Sequence, residues 1–223
     1  MYDPDGCQPP PVFTPDTEPY LGRALLHAFD QVIVSCLEAN EHTAAYTHRQ
    51  AAELTDLQRA ACEIIPQGIS LVLSVRELVR QGYLFAALVL LRSVIERAGV
   101  ISYIREEPDG LRQWRDGWKH RDRPSLARML VSMSPNCTQQ QAEGICALLN
   151  HAVHGDPIGA AQNLVHIDGR GPAHSSSKML NNPELCDFIC QQALCYLIVL
   201  MGRMAECFPG AAAHGRLRTD TGP

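Results

Sequence analysis

The sequence has no Cys-x-x-Cys pair, no Gly-x-x-x-x-Gly-Lys-[Ser/Thr] and no Gly-x-Gly-x-x-Gly. It also has no His-Glu-x-x-His and no Gly-x-Ser-x-Gly. These absences argue against zinc ribbons, thioredoxin-type redox sites, P-loop and dinucleotide sites, zinc proteases and hydrolase elbows. Aromatic residues make up only 6% of the chain, and just 2 of its basic residues are lysine. No uninterrupted apolar run reaches the length of a membrane span. Leu84 to Ile101 comes nearest, but Arg92, Glu96 and Arg97 interrupt it, and Ala193 to Gly202 is too short. Both read as buried helices, so no membrane partner is expected. The N-terminus lacks the apolar stretch of a secretory signal, which points to a cytoplasmic protein. The nine cysteines are then expected to be reduced, buried thiols, including Cys186, Cys190 and Cys195. Neither a metal nor a cofactor is expected.

With 223 residues there is enough chain for one domain with a proper core. Lys and Arg number 19 against 24 Asp and Glu, a net charge of −5, so generic coating of nucleic acid is not expected.

Residues 1–19 hold six prolines and no helical period, and read as an extended arm. From Tyr20, apolar residues recur at three- and four-residue steps through Leu37, the mark of an amphipathic helix. Ala44 to Ile65 reads as a second helix stopped by Pro66, and Ile69 to Arg80 as a third. Gln81-Gly82 breaks the pattern before a strongly apolar helix, Tyr83 to Arg105. Pro108-Asp109-Gly110 marks a turn, followed by short helices Leu111 to Lys119 and Ser125 to Ser132. Thr138, three residues before Gln141, caps a helix that runs to His154. Residues 156–182 form a long irregular loop, with Val165 to Ile167 as a short extended piece. Pro183 opens a last helix to about Cys207, and 208–223 reads as a loose tail. The expected fold is all-α: an antiparallel bundle of about five long helices plus short extras, in a single domain over 20–207. Helix Tyr83 to Arg105, apolar nearly all round, belongs at its centre.

Three polar groups stand out. Arg92 and Glu96 share a face of the central helix, as a structural pair or as the lining of a pocket. Asn150 and His154 share a face at the end of another helix, where the dipole favours a protonated imidazole. His154 there is either a proton-transfer group or a cap. Arg112, Trp114, Arg115, Trp118, Lys119 and His120 belong to a segment of local charge +4 that contains both tryptophans. Cations interleaved with aromatics can grip a phosphate backbone and stack bases; equally, the tryptophans can pack on the core.

The run Gly82 to Glu96 with its Arg92-Ser-x-x-Glu96, followed by Tyr103 and, much later, a helix ending in Asn150-x-x-x-His154-Gly155, resembles a group of largely uncharacterised bacterial helical proteins. These are related to the HEPN superfamily and to abortive-infection proteins, and the resemblance covers roughly 68–155. It implies an antiparallel bundle, often a homodimer, in a phage-defence or toxin–antitoxin system. Active HEPN members are metal-independent ribonucleases with an Arg, a polar residue, and then a His after four to six intervening residues. Here Asn150 stands where that Arg belongs, with three intervening residues; Arg115 to His120 is the literal match. Two functions follow. One is a non-catalytic interaction or accessory protein, with a partner from the same system. The other is a ribonuclease in which His154 moves the proton, Asn150 orients it, Arg92 supplies charge and Glu96 positions Arg92.

Overall fold

The computed structural model describes residues 18–119, 123–134, 136–154, 157, 164–167, 171–174, 178–179 and 181–211. The elements are α1 (Ala24–Arg49), α2 (Asp56–Arg80), α3 (Leu84–Glu106), α4 (Gly110–Arg115), α5 (Leu126–Met133), α6 (Gln139–His154), β1 (Leu164–Ile167), β2 (Gly171–His174) and α7 (Pro183–Cys207). The fold is all-α: the elements named among the described residues are five long helices, two short ones and one small antiparallel hairpin that pairs Leu164 with His174 and Ile167 with Gly171. That hairpin occupies part of the segment expected to be irregular. The expected arm through residue 17, the tail from 212, and most of 156–182 lie outside the described residues.

α3 is central. Leu84, Leu88, Leu91 and Ile95 share one buried stripe along its first turns, and from Ala98 to Ile104 every residue is buried, so its last turns are covered on all sides. α2, α4, α5, α6 and α7 all pack on it. α7 also leans on α1 and α2, while α1 and α2 meet each other only at isolated points. By length and composition, α7 is apolar enough to cross a membrane; here Ile189, Ala193, Leu197 and Leu200 are buried within the bundle.

The first two helices divide differently from the expectation. α1 continues to Arg49, and the break falls at 50–55. Thr55 and Gln58 form a reciprocal capping box that starts α2, with Thr55 N donating to Gln58 Oε1 at 2.9 Å and Gln58 N to Thr55 Oγ1 at 3.3 Å. α2 then runs through Pro66, so the expected helices Ala44–Ile65 and Ile69–Arg80 are not separate units. Proline inside a helix removes one backbone bond and costs about 3 kcal/mol. Pro66 itself is exposed, but Ile64, Ile65, Ile69 and Val72 on either side are buried, and their combined burial outweighs the lost bond.

The breaks at Gly82 and Gly117 share one chemistry. At the end of α2, Gly82 (φ +83°) donates to Val79 O at 3.0 Å and Tyr83 to Leu78 O at 2.8 Å. At the end of α4, Gly117 (φ +79°) donates to Trp114 O and Trp118 to Gln113 O, each at 3.0 Å. Both are Schellman closures, which place glycine in the left-handed region. The second ends α4 at Arg115, shorter than the expected helix to Lys119.

The ends of the domain are anchored. The Tyr20 hydroxyl donates to Met179 O and accepts from Asn182 N at 3.2 Å. Met179 N donates to Gly82 O at 2.8 Å, and Lys178 Nζ sits 5.5 Å over the Tyr83 ring. Glu18 pairs with Arg80, so the end of the expected arm is attached to the bundle. After α7, Phe208 and Ala211 are buried, so the expected tail begins as core.

Replacing Pro66 with Ala restores the donor to the i−4 carbonyl without disturbing a buried contact. The expected gain is about 1–2 kcal/mol, read as a rise in Tm of several degrees by calorimetry. An unchanged or lower Tm would show that the proline itself contributes to packing.

Candidate functional site

Arg92 lies on the third turn of α3, half-buried, and Asn150 lies near the end of α6, also half-buried. Arg92 Nη1 donates to Asn150 Oδ1. Residues 58 positions apart are thus joined across the seam between α3 and α6. α6 is placed for this by its own cap: Thr138 N donates to Gln141 Oε1 at 2.9 Å, and Gln141 N to Thr138 Oγ1 at 3.3 Å. Ala142, Leu149 and Ala152 then face the core, which turns Asn150 toward α3. Cys146, one turn before Asn150, has its thiol pushed up by burial, with the Arg92 guanidinium pulling the other way. His154 follows Asn150 by one turn, about 6 Å along the axis, and is exposed. Among the described residues no hydrogen bond or ion pair reaches its imidazole.

Glu96 does not pair with Arg92. It pairs with Arg123, from the segment before α5. Two causes act together. An acid C-terminal to its base at i, i+4 is the weaker order of the pair on a helix. The two residues also face different neighbours, Arg92 meeting α6 and Glu96 meeting the chain that enters α5.

The basic segment is neutralised in place. Arg112 faces Asp109 at 3.1 Å and Asp116 at 3.8 Å. Arg115 reaches Asp56 at 2.6 Å, and that guanidinium holds the Asp56 carboxyl below its ordinary range. Arg128 approaches Glu107 at 3.6 Å and stacks 5.4 Å over the Tyr103 ring. Lys119 is exposed, and His120 lies outside the described residues. The two tryptophans do not share a helix face. Trp114 is on α4, whereas Trp118 sits past the Gly117 closure with φ +38°. Both are half-buried and pack against the core. Trp118 meets Tyr103 edge-on at 6.5 Å, and Arg123 stacks 5.8 Å over it. Its Nε1 is buried without a hydrogen-bond partner among the described residues.

A cleft of about 580 Å³ opens beside the Arg92–Asn150 contact, between α3, α6 and α7. Leu91, Ile95, Ile145, Leu148, Leu149 and Phe188 dominate its wall, with Ser134, Asn136, Cys137, Gln141 and Gln192 as its polar members. Arg92, Asn150, Glu96 and His154 are not part of that wall. The charged candidates lie one residue away from the cleft, on the sides of α3 and α6 that turn from it.

The cysteines divide by position. Cys36, Cys186, Cys190 and Cys207 are buried, Cys137 and Cys146 half-buried, and Cys62 and Cys195 exposed, the last two against expectation. Cys62 and Cys195 fall on the outward stripes of α2 and α7. Burial pushes the Cys36 thiol up to about 11 and the Tyr196 hydroxyl up to about 12. Among the described residues no group of three His, Cys, Asp or Glu could hold a metal ion.

Comparison with known protein families, with characterised proteins and with solved structures gives no match to this chain.

Asn150→Ala removes the acceptor from Arg92 and is expected to cost about 1 kcal/mol in urea unfolding. Asn150→Asp, which supplies a carboxylate at the same place, is expected to restore stability. Equal loss in both variants would mean that the contact contributes nothing. A second outcome concerns pH. Cys36 stays protonated in the fold while the unfolded thiol ionises near 9.0, so the unfolded state binds fewer protons above that pH. The stability held by Cys36 is fully present below pH 9 and is lost as pH rises toward about 11. Cys36→Ala should flatten that alkaline loss in denaturation curves taken between those limits.

Proposed function

We propose that this chain is a non-catalytic helical interaction protein of a bacterial defence or toxin–antitoxin type of system. Its assembly is a homodimer, and its target is a partner protein of the same system. The observation that carries the reading is the separation of charge from opening. Arg92 is engaged by Asn150, Glu96 by Arg123 and Arg115 by Asp56, each joining separate parts of the fold. The neighbouring cleft is walled chiefly by aliphatic side chains. A ribonuclease needs its proton-transfer group and its cation to converge on one space where a phosphate can sit. An apolar wall bordered by exposed Leu148 is suited to protein contact.

A second reading, a metal-independent endoribonuclease of HEPN type, is favoured by one observation. Arg92 does reach Asn150, with His154 one turn on along the same helix. In that reading Arg92 stabilises charge on the attacked phosphate and His154 moves the 2′-hydroxyl proton.

Incubating the purified chain with total RNA in the presence of chelator separates the two. The accessory reading expects equal RNA integrity with wild type and with His154→Ala, at high protein concentration. Cleavage by wild type that is lost in His154→Ala would establish the nuclease in its place. Gel filtration showing a strict monomer would remove the homodimer.

A further inference from the structure

A second cleft, of about 470 Å³, lies where the start of α1 meets the end of α2. Arg23, His27, Arg76 and Arg80 line it together with Glu18 and Asp30. Arg23 precedes α1, Arg76 and Arg80 sit one turn apart on α2, and α1 supplies His27 and Asp30.

All three arginines are held in the same way. Each presents Nε and Nη2 side-on to both oxygens of one carboxylate. Arg23 grips Asp187, with Nε at 2.7 Å; Arg76 grips Asp30, at 2.5 and 3.1 Å; Arg80 grips Glu18, with Nε at 2.9 Å. A fork used side-on leaves Nη1, with both of its hydrogens, uncommitted. Among the described residues, Nη1 of none of the three donates a hydrogen bond. The carboxylates thus fix three guanidiniums in orientation and leave each with one spare end.

Glu18 and Asp30 line the cleft together with the three arginines, whereas Asp187, the partner of Arg23, does not. His27 also lines the cleft, with its Nε2 3.1 Å from the Gln31 amide nitrogen. The Arg76–Asp30 pair joins α1 to α2, which otherwise touch only at isolated points. The three arginine side chains keep between 26% and 37% of their surface open.

We propose that this cleft binds a phosphate monoester. Its tetrahedral oxygens accept from the spare Nη1 groups of Arg23, Arg76 and Arg80, and its carbon body lies toward Leu21 and Leu26. Three donors, two from successive turns of α2 and one from the segment before α1, match a tetrahedral oxyanion, whereas a planar carboxylate engages one guanidinium fork at a time. The volume falls in the range of small-ligand sites.

The test titrates the full chain by calorimetry with inorganic phosphate, glycerol phosphate and acetate, all at matched ionic strength in potassium chloride. Saturable binding of phosphate and glycerol phosphate, with acetate weaker, is expected. The paired variant Arg80→Gln/Glu18→Gln removes one guanidinium without leaving an unpaired charge, and is expected to weaken phosphate binding by about tenfold. His27→Ala breaks no ion pair and keeps the test decisive should the paired variant fail to fold; it is expected to weaken binding by about threefold. No phosphate binding beyond the chloride control would overturn the proposal. So would acetate binding as tightly as phosphate, or phosphate binding unchanged in a folded variant.

Discussion

Burial of α3, along one stripe in its first turns and on every side from Ala98 to Ile104, is the constraint from which the remaining geometry follows. A helix that is apolar around its whole circumference has no solvent face and must be covered by several partners at once. Small residues let those partners come close. A Cβ at Gly99 would meet Met129 Cβ at 2.9 Å, and one at Gly68, on α2, would meet Leu200 of α7 at 2.7 Å. Ser102, fully buried on α3, is satisfied by Arg203 Nε at 3.1 Å. With the ring of neighbours closed so tightly, the charged residues of α3 can emerge only at the seams between helices. Arg92 emerges toward α6, Glu96 toward the chain entering α5, and Arg97 toward Gln67 of α2.

The seams explain why charge and opening are separated. A cation at a seam is half-buried and must find an acceptor from the opposing element, or bear the cost of desolvation alone. Arg92 is such a cation and Asn150 its acceptor, while the exposed Arg115, Arg123 and Arg128 pair at the surface with Asp56, Glu96 and Glu107. The large cleft lies instead over a stretch where α3, α6 and α7 present aliphatic side chains and fail to close completely. The cleft at the other end of the molecule has the reverse character. There α1 and α2 diverge, no packing fills the gap, and arginine–carboxylate pairs bridge it while staying accessible.

Most of the helices were legible because their signals are local. Thr138 with Gln141, Pro183 at the start of α7, and Gly82 after α2 each act through bonds within a few residues, and each stands where expected. The division of the first two helices was not legible in the same way. The capping box at Thr55 and Gln58 was present as a local signal, but Pro66 is the louder one, and its cost is overcome only by the buried residues around it. Trp114 and Trp118 have helical spacing, yet Gly117 between them allows a left-handed closure that turns Trp118 out of the helix. Neither the fate of Glu96 nor the three arginines of the second cleft had any signature in the chain, because their partners lie 27 to 164 positions away.

Periodicity and composition were sufficient to determine an all-α chain with an apolar central helix, since burial period and backbone caps are properties of neighbouring residues. Which charge meets which, and where a gap is left, was decided only when the helices were stacked. Ion pairing and cavity formation depend on the angle and depth at which separate elements approach, and those are set by the sum of core contacts, not by any one segment.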